Sequence, residues 1–316
     1  FIGVGVMGKP MVQHLTSAGY DVTIYEANEK AGGVLTYGIV PSRLPQEVVD
    51  FDIATIEKLG VTFKFNETID AARLEELKAE YDAVFVGTGL WKSKVIDIPG
   101  KDLDGVVSAI DFLKDARLNK ENMTLGDTVL VIGGGNSGAQ ILAEVSKVAE
   151  TTWVTMTPPQ FLADDVDGRV LFLRATERLK AQLEGRSIDQ PVGGLGDIVM
   201  IDTVKDARAR GVLHSREPFL SFEQNGVIWS DSSKQAVDAV IWCTGFKPAL
   251  NHLKSLDIVE PNQTVAVENG RSMKVPNLWL VGYGEWTGMA SATLIGVSRT
   301  ARQTADEIAA YLIEPV

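Results

Sequence analysis

"VLVIGGGNSG" (129–138) is four apolar residues followed by glycines at the first, third and sixth positions of a turn. A strand, "TVLVI" (128–132), leads into it. A helix, "SGAQILAEVSKVAE" (137–150), leads away, with Ile141, Leu142, Val145 and Val148 at helical spacing. "TTWVTM" (151–156) reads as the next strand. Strand, glycine turn, helix and strand form the context in which this glycine spacing cradles a dinucleotide. The first glycine allows the tight turn, the second lets the backbone approach a pyrophosphate, and the third lets helix and strand pack closely. Gly133, Gly135 and Gly138 fill those places, with Asn136 and Ser137 completing the turn.

The chain opens with the same device. "FIGVGVMG" (1–8) places Gly3, Gly5 and Gly8 after a strand remnant, with Val6 and Met7 between the last two glycines. "KPMVQHLTSAG" (9–19) reads as the helix and "DVTIYE" (21–26) as the second strand. Pro10 is tolerated because it falls in the first helical turn. Glu26, followed by Ala27, lies 18 residues beyond Gly8, near the interval at which an acid accepts ribose hydroxyls. The same interval from Gly138 ends on Met156, neither an acid for a ribose 2′-hydroxyl nor an arginine for a 2′-phosphate. Either nicotinamide cofactor, NADP or NAD, is therefore compatible with the second turn. A strand of the central parallel type runs about 5 residues, yet only Phe1 and Ile2 precede Gly3. With no initiator Met, a few residues are expected ahead of Phe1.

Composition narrows the classes. The chain has 316 residues, 45% hydrophobic and 23% charged, enough for two globular domains. A formal net charge of −12 disfavours nucleic acid and anionic membranes as partners. No apolar run reaches the roughly 18 residues of a membrane helix, and no signal peptide is visible. Cys243 is the single cysteine, which fits a reducing, cytoplasmic setting and leaves no dithiol. It lies inside a strand pattern and reads as a small buried hydrophobe. Three scattered histidines make no legible metal site.

Several segments resemble flavoproteins with two dinucleotide-binding domains. "GGVLTYGI" (32–39), "RLPQEVVDFDI" (43–53), "LGVTF" (59–63), "AVFVGTG" (83–89) and "IPGKDLDGVVSAIDFL" (98–113) are similar to the small subunit of glutamate synthase and the flavin part of dihydropyrimidine dehydrogenase. From about residue 126, "FLADDVDGRVLF" (161–172), "AVIWCTGFKP" (239–248) and "LWLVGYGEWTGMASATLIGVSRTAR" (278–302) resemble bacterial flavin-containing monooxygenase-like proteins. The first 25 residues resemble 3-hydroxyisobutyrate dehydrogenase. The unevenness suggests a recombined or engineered chain.

The resemblance implies an α/β fold of two Rossmann-like dinucleotide-binding domains, the second inserted into the first, as in glutathione and thioredoxin reductases. The expected FAD-binding domain is 1–120 plus 247–316, and the expected NAD(P)-binding domain is 126–245. Linkers are expected at 118–127 and 245–250, and a glycine-rich surface loop at 183–197. The resemblance also implies flavin contacts at Gly32 and Gly33, which otherwise form a plain turn, at Thr88 and Gly89, and at Gly284 and Glu285. Residues 289–312 are expected to form a helix whose N-terminus, with Ala292, faces the flavin. Tyr283 and Trp286 read as packing or as ring contacts.

The implied activity is an FAD-dependent NAD(P)H oxidoreductase, with no side-chain catalyst named and a small-molecule electron acceptor. A flavin monooxygenase and an engineered nucleotide-binding scaffold with little turnover are the alternatives. No histidine stands in "GVVSAIDFLKDARL" (105–118), where oxygenating members carry one, and one cysteine excludes a disulfide reductase. A homodimer is one assembly open to the chain.

Overall fold

A computed structural model describes residues 1–3, 8–40, 43–118, 123–186, 197–288, 291–293 and 296–313. The chain divides into two compact units: Phe1–Lys92 with Leu113–Lys120 and Phe246–Val316, and Ser93–Phe112 with Glu121–Gly245.

In the first unit the sheet is built around Ile2. Ile2 bridges Tyr25 on one side and Val86 on the other, both parallel. Its N–H donates to Phe85 O and its carbonyl accepts from Gly87 N, at 2.8 and 2.9 Å. Outward on one side are Thr23–Tyr25 and then Thr62–Lys64, paired in parallel. On the other side Val84–Val86 pairs in parallel with Leu278–Leu280, and two short antiparallel strands finish the sheet. Both faces are covered, as a parallel sheet requires. Phe85 and Trp279 point to the face covered by Met11, Val12 and Leu15 of the Gly8–Ser17 helix and by Ala301, Ala305 and Ile308 of the last helix. Val84, Val86, Leu278 and Leu280 point the other way, onto Leu74 and Leu77. Those two leucines are the buried face of the Ala71–Glu80 helix, whose charged residues Glu75, Glu76 and Glu80 are exposed. Asp70 caps that helix by accepting from Arg73 N at 2.9 Å.

The second unit holds a five-stranded parallel sheet in the order Val106–Ser108, Ala239–Trp242, Thr128–Ile132, Glu150–Val154, Ser215–Arg216. Alternating Leu130, Ile132, Val154, Val240 and Trp242 pack against Phe222 and Val227 of a three-stranded antiparallel sheet, together with Phe219 and Trp229. The helix after the glycine turn covers the parallel sheet with Ile141, Leu142 and Val145.

The structure moves three expected boundaries. Residues 93–112, placed with the first domain from the sequence, belong to the second unit, because Val106–Ser108 is an edge strand of its sheet and Phe222 N donates to Pro99 O at 2.9 Å. The helix expected over 137–150 is Asn136–Val145. Ser146 closes it, and a tight turn through Lys147 and Val148 bonds back to Glu144 and Val145. Val148 is therefore exposed rather than part of the apolar stripe. The last helix runs Val297–Ile313, not from 289. Ser291 is fully buried in a turn instead, where its hydroxyl accepts from Gly282 N at 3.0 Å and pairs with Thr287 Oγ1. Residues 119–122 of the first linker and 187–196 of the glycine-rich loop lie outside the described residues.

Candidate functional site

The first glycine turn begins where Gly3 donates to Tyr25 O at 2.8 Å. A methyl on Gly3 would stand 3.2 Å from Gly87 O, and one on Gly87 would stand 3.0 Å from Gly3 O. Gly3 thus lies directly against Gly87 at the end of the "VFVGTG" strand, and a side chain at either position would crowd the other's backbone. Gly8 is buried at the start of the first helix. Gly5, Val6 and Met7 lie outside the described residues.

Glu26 sits at the end of the next strand and is buried. Its backbone is held on both sides, by Lys64 O and by Glu67 N. Its Oε1 accepts from Asn28 N at 2.9 Å and from Asn28 Nδ2 at 2.8 Å. Its Oε2 makes no hydrogen bond among the described residues. A buried carboxylate with one oxygen fixed and the other uncommitted is suited to receive hydroxyls. Ala27 is exposed beside it. Gly32 and Gly33 turn the chain with φ of 112° and 55° into the short Val34–Tyr37 helix. A methyl on Gly32 would lie 2.1 Å from Thr36 Oγ1, whereas Gly33 faces open space.

Thr88 is spent internally. Its Oγ1 lies 2.7 Å from Tyr283 Oη, its N–H donates to that oxygen at 3.2 Å, and its hydroxyl reaches Ala249 O at 3.4 Å. A methyl on Gly89 or on Gly284 would meet no atom within 4 Å. Glu285 is exposed and opens a turn of 3-10 helix, Glu285–Thr287; Ala292 is exposed as well. Tyr283 and Trp286 stack on each other, centroids 5.4 Å apart at 23°.

In the second unit Gly133 has φ 134°, and a methyl on it would strike Cys243 O at 2.2 Å. A methyl on Gly138 would strike Gly133 O at 2.1 Å, so helix and strand touch there through backbone. Gly135 faces open space at the helix N-terminus, and no side chain caps it. That leaves the first N–H groups of the helix for an anion. Ser137 is partly exposed on the same turn. Asn136 is committed: its Nδ2 donates to Asp197 O at 2.9 Å and its Oδ1 accepts from Val199 N at 2.8 Å. Met156 is 74% exposed at the end of the second strand. Burial pushes the Cys243 thiol up to about 12, as expected for a packing residue.

Three supporting residues escaped sequence reading. Trp153 Nε1 donates to Gly133 O at 2.9 Å and so holds the second turn. Asn28 holds Glu26, and Lys114 Nζ donates to Asn28 Oδ1 at 3.2 Å. A polar residue two places beyond the strand-ending acid was the available signal for Asn28; nothing local marked Lys114. Among the described residues no His/Cys/Asp/Glu cluster could hold a metal ion, and no helix is long and apolar enough to cross a membrane.

Two units, each built on a parallel sheet and each with the glycine spacing of a dinucleotide fold in its sequence, define the class of oxidoreductases with two nucleotide-binding domains. The chain belongs to the pyridine nucleotide-disulphide oxidoreductases, whose family model matches residues 1–293; these are FAD- and NAD(P)-dependent enzymes. It is 33% identical over 287 residues, 85% of its length, to the NAD-dependent dihydropyrimidine dehydrogenase subunit PreT of Escherichia coli K12, covering 65% of that protein. It is 35% identical over 152 residues, 45% of its length, to the glutamate synthase [NADPH] small chain of Bacillus subtilis, covering 31% of that chain. The chain therefore spans less than two thirds of these curated relatives, both of them named as parts of larger enzymes. Among solved structures, a flavin-containing monooxygenase from Stenotrophomonas maltophilia is 35% identical with a TM-score of 0.73, covering 98% of this chain and 97% of that one. Continuous matches of this kind give no support to a chain recombined from three sources. The family match includes the first 25 residues, and nothing supports a 3-hydroxyisobutyrate dehydrogenase origin for them.

Proposed function

We propose that the first unit holds FAD, that the second receives NADH or NADPH, and that the protein oxidises the nicotinamide and passes the electrons to a separate acceptor. The observation that carries this reading is the pairing of two glycine turns with one buried acid, Glu26, at the end of the strand after the first. When bound, the two cofactors supply the hydride-transfer chemistry themselves.

The residues fit these groups. Gly3, Gly5, Val6, Met7 and Gly8 would border the FAD pyrophosphate, with Glu26 and Ala27 at the ribose. Gly32, Gly33, Thr88, Gly89, Gly284, Glu285 and Ala292 would line the rest of its path. Thr88 would contribute position, since Tyr283 engages both its N–H and its hydroxyl. Gly133, Gly135, Asn136, Ser137 and Gly138 would hold the nicotinamide nucleotide. Asn136 acts by fixing the 197–199 segment. Met156, at the interval from Gly138 where a ribose reader would stand, is itself neither a carboxylate nor a guanidinium to separate NAD from NADP. With one cysteine in these 316 residues, and that one buried, the chain supplies no dithiol to the reaction.

The acceptor is a small molecule or the redox centre of a partner subunit, as the names of PreT and the glutamate synthase small chain suggest for those enzymes. A cytoplasmic setting fits the single thiol, and a homodimer is compatible with the fold. Heat-released ligand from the purified protein tests the reading. FAD is expected; no flavin released, and none bound on later addition, would overturn it. The near full-length likeness to the Stenotrophomonas enzyme favours a monooxygenase as the second reading. Substrate-dependent oxygen uptake with an oxygenated product distinguishes it from an oxidoreductase that delivers electrons elsewhere.

A further inference from the structure

Glu26 is set by a neighbour that comes from a distant part of the chain. The Ala109–Leu118 helix carries Lys114 and Arg117, three residues apart and hence on one face. Both reach the segment that follows Glu26. Arg117 donates to Ile39 O and, at 2.6 Å, to Gln46 Oε1. Lys114 Nζ donates to Asn28 Oδ1 at 3.2 Å and stands 5.4 Å from the Tyr37 ring centroid. The Tyr37 hydroxyl is itself fixed, accepting from Lys30 N at 3.1 Å.

Asn28 is saturated. Its carbonyl accepts from Asn66 N at 3.1 Å, its N–H and Nδ2 both donate to Glu26 Oε1, and its Oδ1 takes the Lys114 ammonium. An ammonium on the amide oxygen fixes which end of the amide faces the carboxylate. It also polarises the amide, so that Nδ2 becomes a stronger donor. The line Lys114–Asn28–Glu26 therefore locks one carboxylate oxygen and presents the other.

We propose that Lys114 is a positioning residue for Glu26, acting through Asn28 to hold the carboxylate ready for the adenosine ribose of the bound dinucleotide. The proposal rests on the reading of the first unit as the FAD site. Its effect falls on binding of the adenosine half, because the contact ends at Glu26.

The test is an equilibrium titration of the apoprotein with FAD, and separately with FMN, which lacks that ribose. Lys114→Met is expected to weaken FAD about tenfold or more, the scale of a charged hydrogen bond, and to leave FMN within about twofold. Lys114→Arg, which keeps a cationic donor, is expected to restore most of the FAD affinity. Asn28→Ala is expected to reproduce the Lys114→Met effect, and adding Lys114→Met to Asn28→Ala or to Glu26→Gln is expected to change FAD binding less than about twofold, since coupled residues are non-additive. The thermal midpoint of each apoprotein checks folding. If Glu26→Gln weakens FAD while Lys114→Met does not, or if the two losses simply add, the relay is wrong and the FAD site stands. If Glu26→Gln leaves FAD affinity unchanged, the site reading fails and takes the relay with it.

Discussion

The Tyr283 hydroxyl and Thr88 are joined twice: Thr88 Oγ1 lies 2.7 Å from it and Thr88 N–H donates to it at 3.2 Å. The tyrosine is buried. The pair ties the end of the Val84–Val86 strand to the turn after Leu278–Leu280, two of the segments proposed to flank FAD. Removing the hydroxyl leaves the Thr88 donor without its partner. Tyr283→Phe is expected to cost about 1–3 kcal/mol, read from urea unfolding; unchanged stability would contradict the role given to the pair. Burial pushes this phenol up to about 12 from its ordinary value near 10. Its folded value is raised, so the associated stability is complete below pH 10 and is lost as pH rises from 10 toward 12. Ultraviolet titration is expected to show one tyrosine ionising only near pH 12, a step absent from Tyr283→Phe.

His252 behaves in the opposite sense. Burial, aided by the Lys92 charge, holds its imidazole down at about 4, and its Nε2 is buried without a partner among the described residues. The folded state resists a proton that the unfolded chain accepts near pH 6.5. Stability is therefore full above pH 6.5 and falls on acidification from 6.5 toward 4, by up to about 1.4 kcal/mol per pH unit. His252→Leu is expected to flatten that acid limb in unfolding curves taken between pH 7 and 4. An unchanged slope would show that other groups cause it.

Gly135 and Gly138 separate binding from packing. Gly135 faces open space, so Gly135→Ala is expected to lose less than about 1 kcal/mol of stability while filling the place where a pyrophosphate approaches. Affinity for NADH or NADPH is expected to fall about tenfold or more. Gly138→Ala would put a methyl 2.1 Å from Gly133 O. It is expected to cost about 1–3 kcal/mol in stability as well as nucleotide binding. Thermal unfolding and nucleotide titration of both variants distinguish the two; equal stability losses would contradict the division.

Cys243 is predicted to be inert in the folded protein. With its thiol pushed up to about 12 by burial, thiolate is absent at neutral pH. A thiol reagent is expected to label the protein only in denaturant, and Cys243→Ala to retain nicotinamide oxidation. Prompt labelling of the native protein would contradict the packing role.

The glycine spacing was legible because each glycine answers a backbone need stated by the turn itself. The seat of Glu26 followed from its interval to Gly8 and from the strand alternation before it. What stayed hidden depends on partners far along the chain. The sequence puts Val106–Ser108 beside the first domain, but strand pairing with Ala239–Trp242 assigns it to the second unit. The helical pattern of 289–312 runs on from Ser291, yet that residue's hydroxyl closes a turn with Gly282 and Thr287 instead. The partner of the Thr88 hydroxyl, Tyr283, stands 195 residues away and carries no local mark. Lys114 carries no local mark, since only the fold brings it to Asn28.

The central claim is that the first unit binds FAD and that a nicotinamide nucleotide reduces it. Anaerobic titration of the purified, FAD-loaded protein with NADH and with NADPH, followed by visible absorbance, addresses it directly. Loss of the oxidised-flavin band on stoichiometric addition of at least one of the two, and its return when an oxidant is admitted, is the predicted result. A band that dithionite bleaches but neither nucleotide alters would contradict the account.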